Sequence, residues 1–180
     1  MDTTLMTGRR EQRDGRTLLV IERRYRAPLD DVWAACTEPS RMERWIGTWS
    51  GDPADGSVSF RMTAEGDDVP AEEMDVLACE PPHRFAVRSR EPQPFSEDGQ
   101  GEKALWEMEL ELQEADGVTS LRFVQVLVPG ATGVDMAASV GPGWDYYLDR
   151  LGAALAGRDV GDIDWEDYAG GSPHYRQRFA

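Results

Sequence analysis

One stretch near the end of the chain limits the folds open to it. From Gly141 to Gly157 the residues Trp144, Leu148, Leu151 and Leu155 recur at helical spacing, the apolar stripe of an amphipathic helix. Tyr147 and Ala154 widen that stripe, and Asp145, Asp149 and Arg150 are expected to point away from it. Gly157 suits the left-handed turn that ends a helix, and Arg158 suits the negative end of its dipole. Almost everything upstream reads as strand. A long late helix with one apolar face therefore needs a sheet to lie on.

The strands follow from period-two alternation. Thr17 to Tyr25 places Leu19, Ile21 and Tyr25 on one face, with Arg23 among them, either at the strand end with its head in water or pointing into a cavity. In Ser57 to Thr63, Val58, Phe60 and Met62 alternate with Ser59 and Arg61. Glu72 to Glu80 sets Met74, Val76 and Ala78 against Leu77 and Cys79, and Phe85 to Ser89 sends Phe85 and Val87 inward. Ala104 to Glu114 alternates Trp106, Met108, Leu110 and Leu112 with Glu107, Glu109 and Glu111, which read as a wet face. Asp116-Gly117 signals a hairpin into Thr119 to Val128, whose inner face carries Leu121, Phe123, Gln125 and Leu127. Hairpins with one apolar face and one late helix define an α+β class, a curved antiparallel sheet around the helix.

Between the first two strands lie two short helices. Pro28 with Asp30 and Asp31 fits a helix start, and Leu29, Val32, Trp33 and Cys36 form one face. Glu38-Pro39 breaks it, and Ser40 with Glu43 has the pattern of a capping box for a second helix burying Met42, Trp45 and Ile46. Gly47 to Gly56 reads as a loop, as does the polar stretch Arg90 to Lys103 around Phe95. Pro129 to Val140 is a Gly- and Ala-rich connector, loop or early helix kinked near Pro142. Residues 1–16 read as a flexible leader, 17–157 as one domain, and 158–180 as a tail whose Trp165, Tyr168, Tyr175 and Phe179 argue for partial docking.

Charge and cysteine usage exclude several partners. A formal net charge of −15 repels nucleic-acid phosphates and anionic lipid, so neither a nucleic acid nor a membrane is expected as partner. No long apolar run suggests a membrane span and no apolar segment near Met1 suggests a signal peptide, so a cytoplasmic location is expected. Cys36 and Cys79 lack metal spacing and read as free thiols, and the two histidines, His83 and His174, offer neither a metal cluster nor a triad. No cofactor is expected, no phosphate-binding glycine loop is present, and no catalytic constellation emerges.

The segment Tyr25-Arg26-Ala27-Pro28-Leu29-Asp30-Asp31-Val32-Trp33, running on to Glu38-Pro39, resembles the opening of the SRPBCC (START, Bet v1-like) superfamily, nearest the branch named after the activator of Hsp90 ATPase. Met42 to Trp45, Glu80-Pro81-Pro82-His83-Arg84-Phe85, and Gly143-Trp144 with its leucines are similar to the same branch. The resemblance implies a helix-grip fold with an apolar cavity between sheet and C-terminal helix. It does not extend to the additional domain of the eukaryotic co-chaperones, so a chaperone-activating role is not expected. Members include carriers of hydrophobic molecules and aromatic polyketide cyclases.

The candidate cavity residues are Trp45, Phe60, Met62, Met74, Phe85, Trp106, Met108, Phe123, Gln125, Trp144, Tyr147, Leu148 and Leu151. Methionine and aromatic side chains suit an adaptable apolar pocket, and Gln125 is a polar group that needs a partner there. The expected function is binding of an apolar or aromatic small molecule. The alternatives are a cyclase- or dehydratase-like enzyme, and a protein-interaction module. Val124, Val126 and Val128, on the nominally wet face, suit either a homodimer surface or cover by the tail aromatics.

Overall fold

The computed structural model describes residues 5–96 and 100–180. In chain order the elements are β1 (Arg9–Arg13), β2 (Arg16–Tyr25), α1 (Leu29–Thr37), α2 (Pro39–Met42), β3 (Thr48–Ser50), β4 (Ser57–Arg61), β5 (Glu72–Glu80) and β6 (Arg84–Ser89). There follow the two-residue strands β7 (Gln93–Pro94) and β8 (Lys103–Ala104), then β9 (Glu107–Ala115), β10 (Val118–Val126), α3 (Ala131–Leu155) and α4 (Ser172–Phe179). Eight strands form one antiparallel sheet in the order β1-β2-β10-β9-β6-β5-β4-β3, and α3 packs on its inner face. This is the expected α+β helix-grip architecture.

The alternation places the side chains as expected on the central strands. Phe123 lies opposite Ile21 and Leu110, and Gln125 opposite Leu19 and Met108, so these residues share the inner face with α3. Asp116 and Gly117 take φ of 54° and 76°, the positive values that a tight β9–β10 hairpin requires. On β5 a register shift between Val76 and Ala78 interrupts the alternation, and Leu77 is left 44% exposed.

Three expectations change, and one open choice, the connector, is settled as helix. Residues 9–13 are edge strand β1, which returns to β2 through Asp14-Gly15, also at positive φ; of the expected flexible leader, residues 1–4 lie outside the described residues. The connector is helix: α3 runs unbroken from Ala131 through Pro142. α2 begins at Pro39, whose missing N–H costs nothing in the first turn, and no side chain caps it, so the Ser40 capping box is not formed. Residues 48–50 pair with β4 as strand β3, which buries Trp49.

The outer face of the sheet holds Leu18, Val20 and Val124, each no more than 1% exposed. Their cover is ionic, where tail aromatics had been an expectation. Arg13 and Arg84 both reach Glu109, Arg16 reaches Glu107, and Arg122 reaches Glu11. The arginine stems shield the aliphatic patch while their heads stay near water. Glu109 is consequently buried, contrary to the wet-face reading. Burial works against its charge, but Arg84 outweighs this and holds its carboxyl below the usual range.

Candidate functional site

The inner face of the sheet and the stripe of α3 do not meet everywhere. Between them lies an apolar void of about 100 Å³. Its walls come from the brace helices (Cys36, Met42, Trp45), from β3 and β4 (Trp49, Val58, Phe60), from the central strands (Met74, Phe85, Met108, Phe123) and from α3 (Trp144, Leu148). Trp45 is fixed by its indole N–H, which donates to the Ala35 carbonyl at 2.8 Å. Phe123 packs against Trp144 with ring centroids 4.3 Å apart. Cys36 is buried in this wall and its thiol is pushed up to about 12 by burial, so it serves as a small apolar group; Cys79 is exposed on β5.

Beside the void is an open cleft of about 670 Å³. Met62, Glu65, Phe95, Trp106, Val140, Trp144, Tyr147 and Trp165 line it, so Trp144 is a wall of both spaces. Tyr147 O–H donates to Glu65 at 3.3 Å, and burial raises its pKa above the ordinary phenol value. Tyr146 packs edge-on against both Tyr147 and Trp165, and the Arg150 guanidinium lies 5.3 Å from the Tyr146 ring centre. Trp165 belongs to the segment after α3, so the docked tail completes the cleft.

The candidate residues thus divide. Trp45, Phe60, Met74, Phe85, Met108, Phe123 and Leu148 line the void, Met62, Trp106 and Tyr147 line the cleft, and Trp144 lines both. Leu151 lines neither and is fully buried core. Gln125 is also fully buried and lines neither space, but its Oε1 accepts from Trp144 Nε1 at 2.6 Å, tying β10 to the shared wall.

Sequence reasoning missed a polar cluster at the opposite edge of α3. Asp145, expected to lie away from the apolar stripe of the helix, is 0% exposed. It accepts from Thr7 Oγ1 at 2.6 Å, from Arg23 Nη2 at 2.9 Å and from the Tyr175 hydroxyl. Arg23 also donates to Asp149 at 2.8 Å, and Asp149 accepts from Tyr168 O–H at 2.6 Å. Arg23 therefore points inward, and burial of its charge is outweighed by the two carboxylates, which hold its pKa above the ordinary value. The available signal was Arg23 on an apolar face of β2, with Asp145 and Asp149 four residues apart on α3; only the topology joins them.

Among the described residues no group of three or more histidine, cysteine, aspartate or glutamate side chains is placed to hold a metal ion, and no helix is long and apolar enough to cross a membrane.

A curved antiparallel sheet gripping a long C-terminal helix, braced by two short helices after the first long strand, is the helix-grip architecture of the SRPBCC superfamily. Within it, the chain belongs to the family described as activator of Hsp90 ATPase homolog 1-like proteins, which matches residues 26–156. Among solved structures it is similar to CalU16 from Micromonospora echinospora, with 29% identity over 92% of this chain and 96% of that one and a TM-score of 0.62. The Bordetella parapertussis protein encoded by BPP1335 shares 24% identity over 97% and 92%, with a TM-score of 0.67. DynU16, a protein of the dynemicin biosynthetic locus, shares 22% identity over 79% and 49%, with a TM-score of 0.57, and so speaks to fold alone. No curated protein matches the chain.

Proposed function

We propose that this is a cytoplasmic binding protein that holds a hydrophobic or aromatic small molecule between the sheet and α3. The observation that carries the reading is the aromatic-walled cleft of about 670 Å³ sharing Trp144 with the apolar void. A concave space walled by aromatic side chains, with polar groups at fixed places, suits a small-molecule site. The void alone is below the roughly 150 Å³ that admits benzene, so the cleft takes the bulk of a ligand and the void at most a substituent.

Native mass spectrometry of gently purified protein tests this. The expected result is a small-molecule adduct that disappears in Trp106→Ala, which removes a wall of the cleft, while circular dichroism shows the fold retained. Absence of any adduct, together with unchanged tryptophan emission across a panel of aromatic ligands, overturns the reading. A second reading, a cyclase- or dehydratase-like enzyme, draws on the Tyr147–Glu65 hydrogen bond in the cleft. It requires that the captured adduct be converted on incubation and that Tyr147→Phe stop the conversion without releasing the adduct.

A further inference from the structure

Trp165 is the part of the cleft wall that comes from the segment between α3 and α4. That segment has little hold on the body. None of residues 158–167 is buried. The chain winds there into two 3₁₀ turns, Val160–Asp162 and Trp165–Asp167, each closed by its own aspartate. Gly161 N–H donates to the Asp159 side chain at 2.8 Å, and Glu166 N–H donates to Asp164 at 3.0 Å. The backbone hydrogen bonds of residues 159–167 stay inside the segment or run to Tyr168 and Ala169. None of Asp159, Asp162, Asp164, Glu166 and Asp167 forms an ion pair among the described residues. What holds the segment down is the Trp165 ring, edge-on to Tyr146 with centroids 5.4 Å apart, helped by the half-buried Val160 and Ile163.

Both ends of the segment are fixed. Arg158 N–H donates to the Ala153 carbonyl at 2.9 Å, and Gly157 turns the chain out of α3 at a φ of 69°. At the far end Tyr168 is buried, its hydroxyl donates to Asp149 at 2.6 Å, and its ring packs edge-on against Tyr146 at 5.5 Å. Beyond it α4 is held by the buried Tyr175 and Phe179, and Arg178 donates to the Gly8 carbonyl at 2.7 Å. A stretch with only local hydrogen bonds and few buried contacts belongs to the low end of local stability, so it opens without unfolding its neighbours. Trp165 is both its main contact and a wall of the cleft, so lifting the segment and removing that wall are one event.

We infer that residues 158–167 are a strap that lifts from the cleft and closes over it as a unit, with Trp165 as its inner face and Tyr168 as the rivet that sets how long it stays closed. This rests on the small-molecule reading above and names the element that retains the ligand. A ligand packed against Trp165 interacts with the closed state alone and shifts the strap towards it.

The full chain labelled with 5-fluorotryptophan tests the motion, and the neutral fluorescent probe N-phenyl-1-naphthylamine tests its consequence. The ¹⁹F resonance of Trp165, assigned through Trp165→Phe, is expected to show relaxation dispersion from exchange on the μs–ms scale, which the probe quenches. Trp45 and Trp49, both buried, should show none. Tyr168→Phe is the deciding variant: Tyr168 does not line the cleft, and phenylalanine keeps its ring while deleting the bond to Asp149. It should raise the dissociation rate of the probe about fivefold, the scale of one net hydrogen bond, while circular dichroism shows the fold retained. A single sharp Trp165 line without dispersion in the free chain, or a dissociation rate that Tyr168→Phe leaves unchanged, overturns the strap: Trp165 is then a fixed wall, and the binding reading stands. If the probe does not bind, that result counts against the small-molecule reading, and the Trp165 resonance alone decides whether the strap moves.

Discussion

Asp145→Asn is the perturbation most clearly worked out by this structure. The carboxylate is fully buried and faces donors from three elements: Thr7 ahead of β1, Arg23 on β2 and Tyr175 on α4. An asparagine NH₂ would face these donors with a donor of its own, and Arg23 would keep Asp149, whose side chain is 27% exposed, as its one ion-pair partner among the described residues. Stranding one partner of a buried ion pair costs about 3–5 kcal/mol, and the surviving Asp149 contact argues for the lower end, about 3 kcal/mol. For a chain of this size that is a fall in Tm of roughly 6–12 °C. Thermal unfolding by circular dichroism measures the total. Hydrogen exchange locates it: residues 5–8 and α4 should lose protection together, because one carboxylate anchors both, while β9 and β10 keep theirs. Arg23→Met combined with Asp145→Asn should cost less than the sum of the two, since the second change no longer strands a charge. A Tm shift under about 2 °C, or opening of one terminal segment without the other, would refute the idea that this cluster ties the two ends of the chain to α3.

Gly141→Ala should weaken the docking of the tail even though alanine favours helix by about 1 kcal/mol. A Cβ there would lie 2.5 Å from the Tyr175 ring, so α4 must shift, and increased exchange in α4 with α3 unchanged is the expected result; a simple rise in Tm would contradict it. Alkaline titration followed by absorbance near 295 nm checks the phenols. Burial raises the pKa of Tyr25, Tyr147, Tyr168 and Tyr175 in the folded chain. Because the folded values lie above the unfolded value of about 10, their contribution to stability is full below that pH and is lost as pH rises above it. These four should therefore ionise together with unfolding, and reversible titration of all of them near pH 10 in the folded state would contradict their burial.

The barrel-like sheet and its helix were legible because period-two and period-3.6 patterns report which face of an element meets the core. Phe123, Met108 and Leu148 could be placed on that basis alone, and each lines the space between sheet and helix. β1 escaped for the same reason in reverse: Arg-Arg-Glu-Gln-Arg has no apolar member, because the strand's task is to lay charged side chains over Leu18, Val20 and Val124. The Asp14-Gly15 turn was a usable signal, being the same dipeptide as Asp116-Gly117. The small residues before Pro142 looked like a connector because their partner lies far along the chain: α4 packs on α3 there, and Tyr175 occupies the space that a side chain at Gly141 would need.

What no pattern could expose is the pairing of polar groups that are solitary in sequence. Arg23, Asp145 and Tyr175 each look anomalous or exposed when taken alone, and they become one anchored cluster only when β2, α3 and α4 are brought together. The same holds for Gln125 and Trp144. Gln125 is marked by its residue type as a polar entry on an apolar face, but its partner is known only once Trp144 has been seen to take the amide oxygen. The two clusters then have different meanings. In the first, the hydrogen bonds run between segments of the chain itself, so it holds the termini. In the second, the hydrogen bond from Trp144 Nε1 to Gln125 Oε1 ties β10 to the wall shared by void and cleft, so it holds an aromatic wall in place.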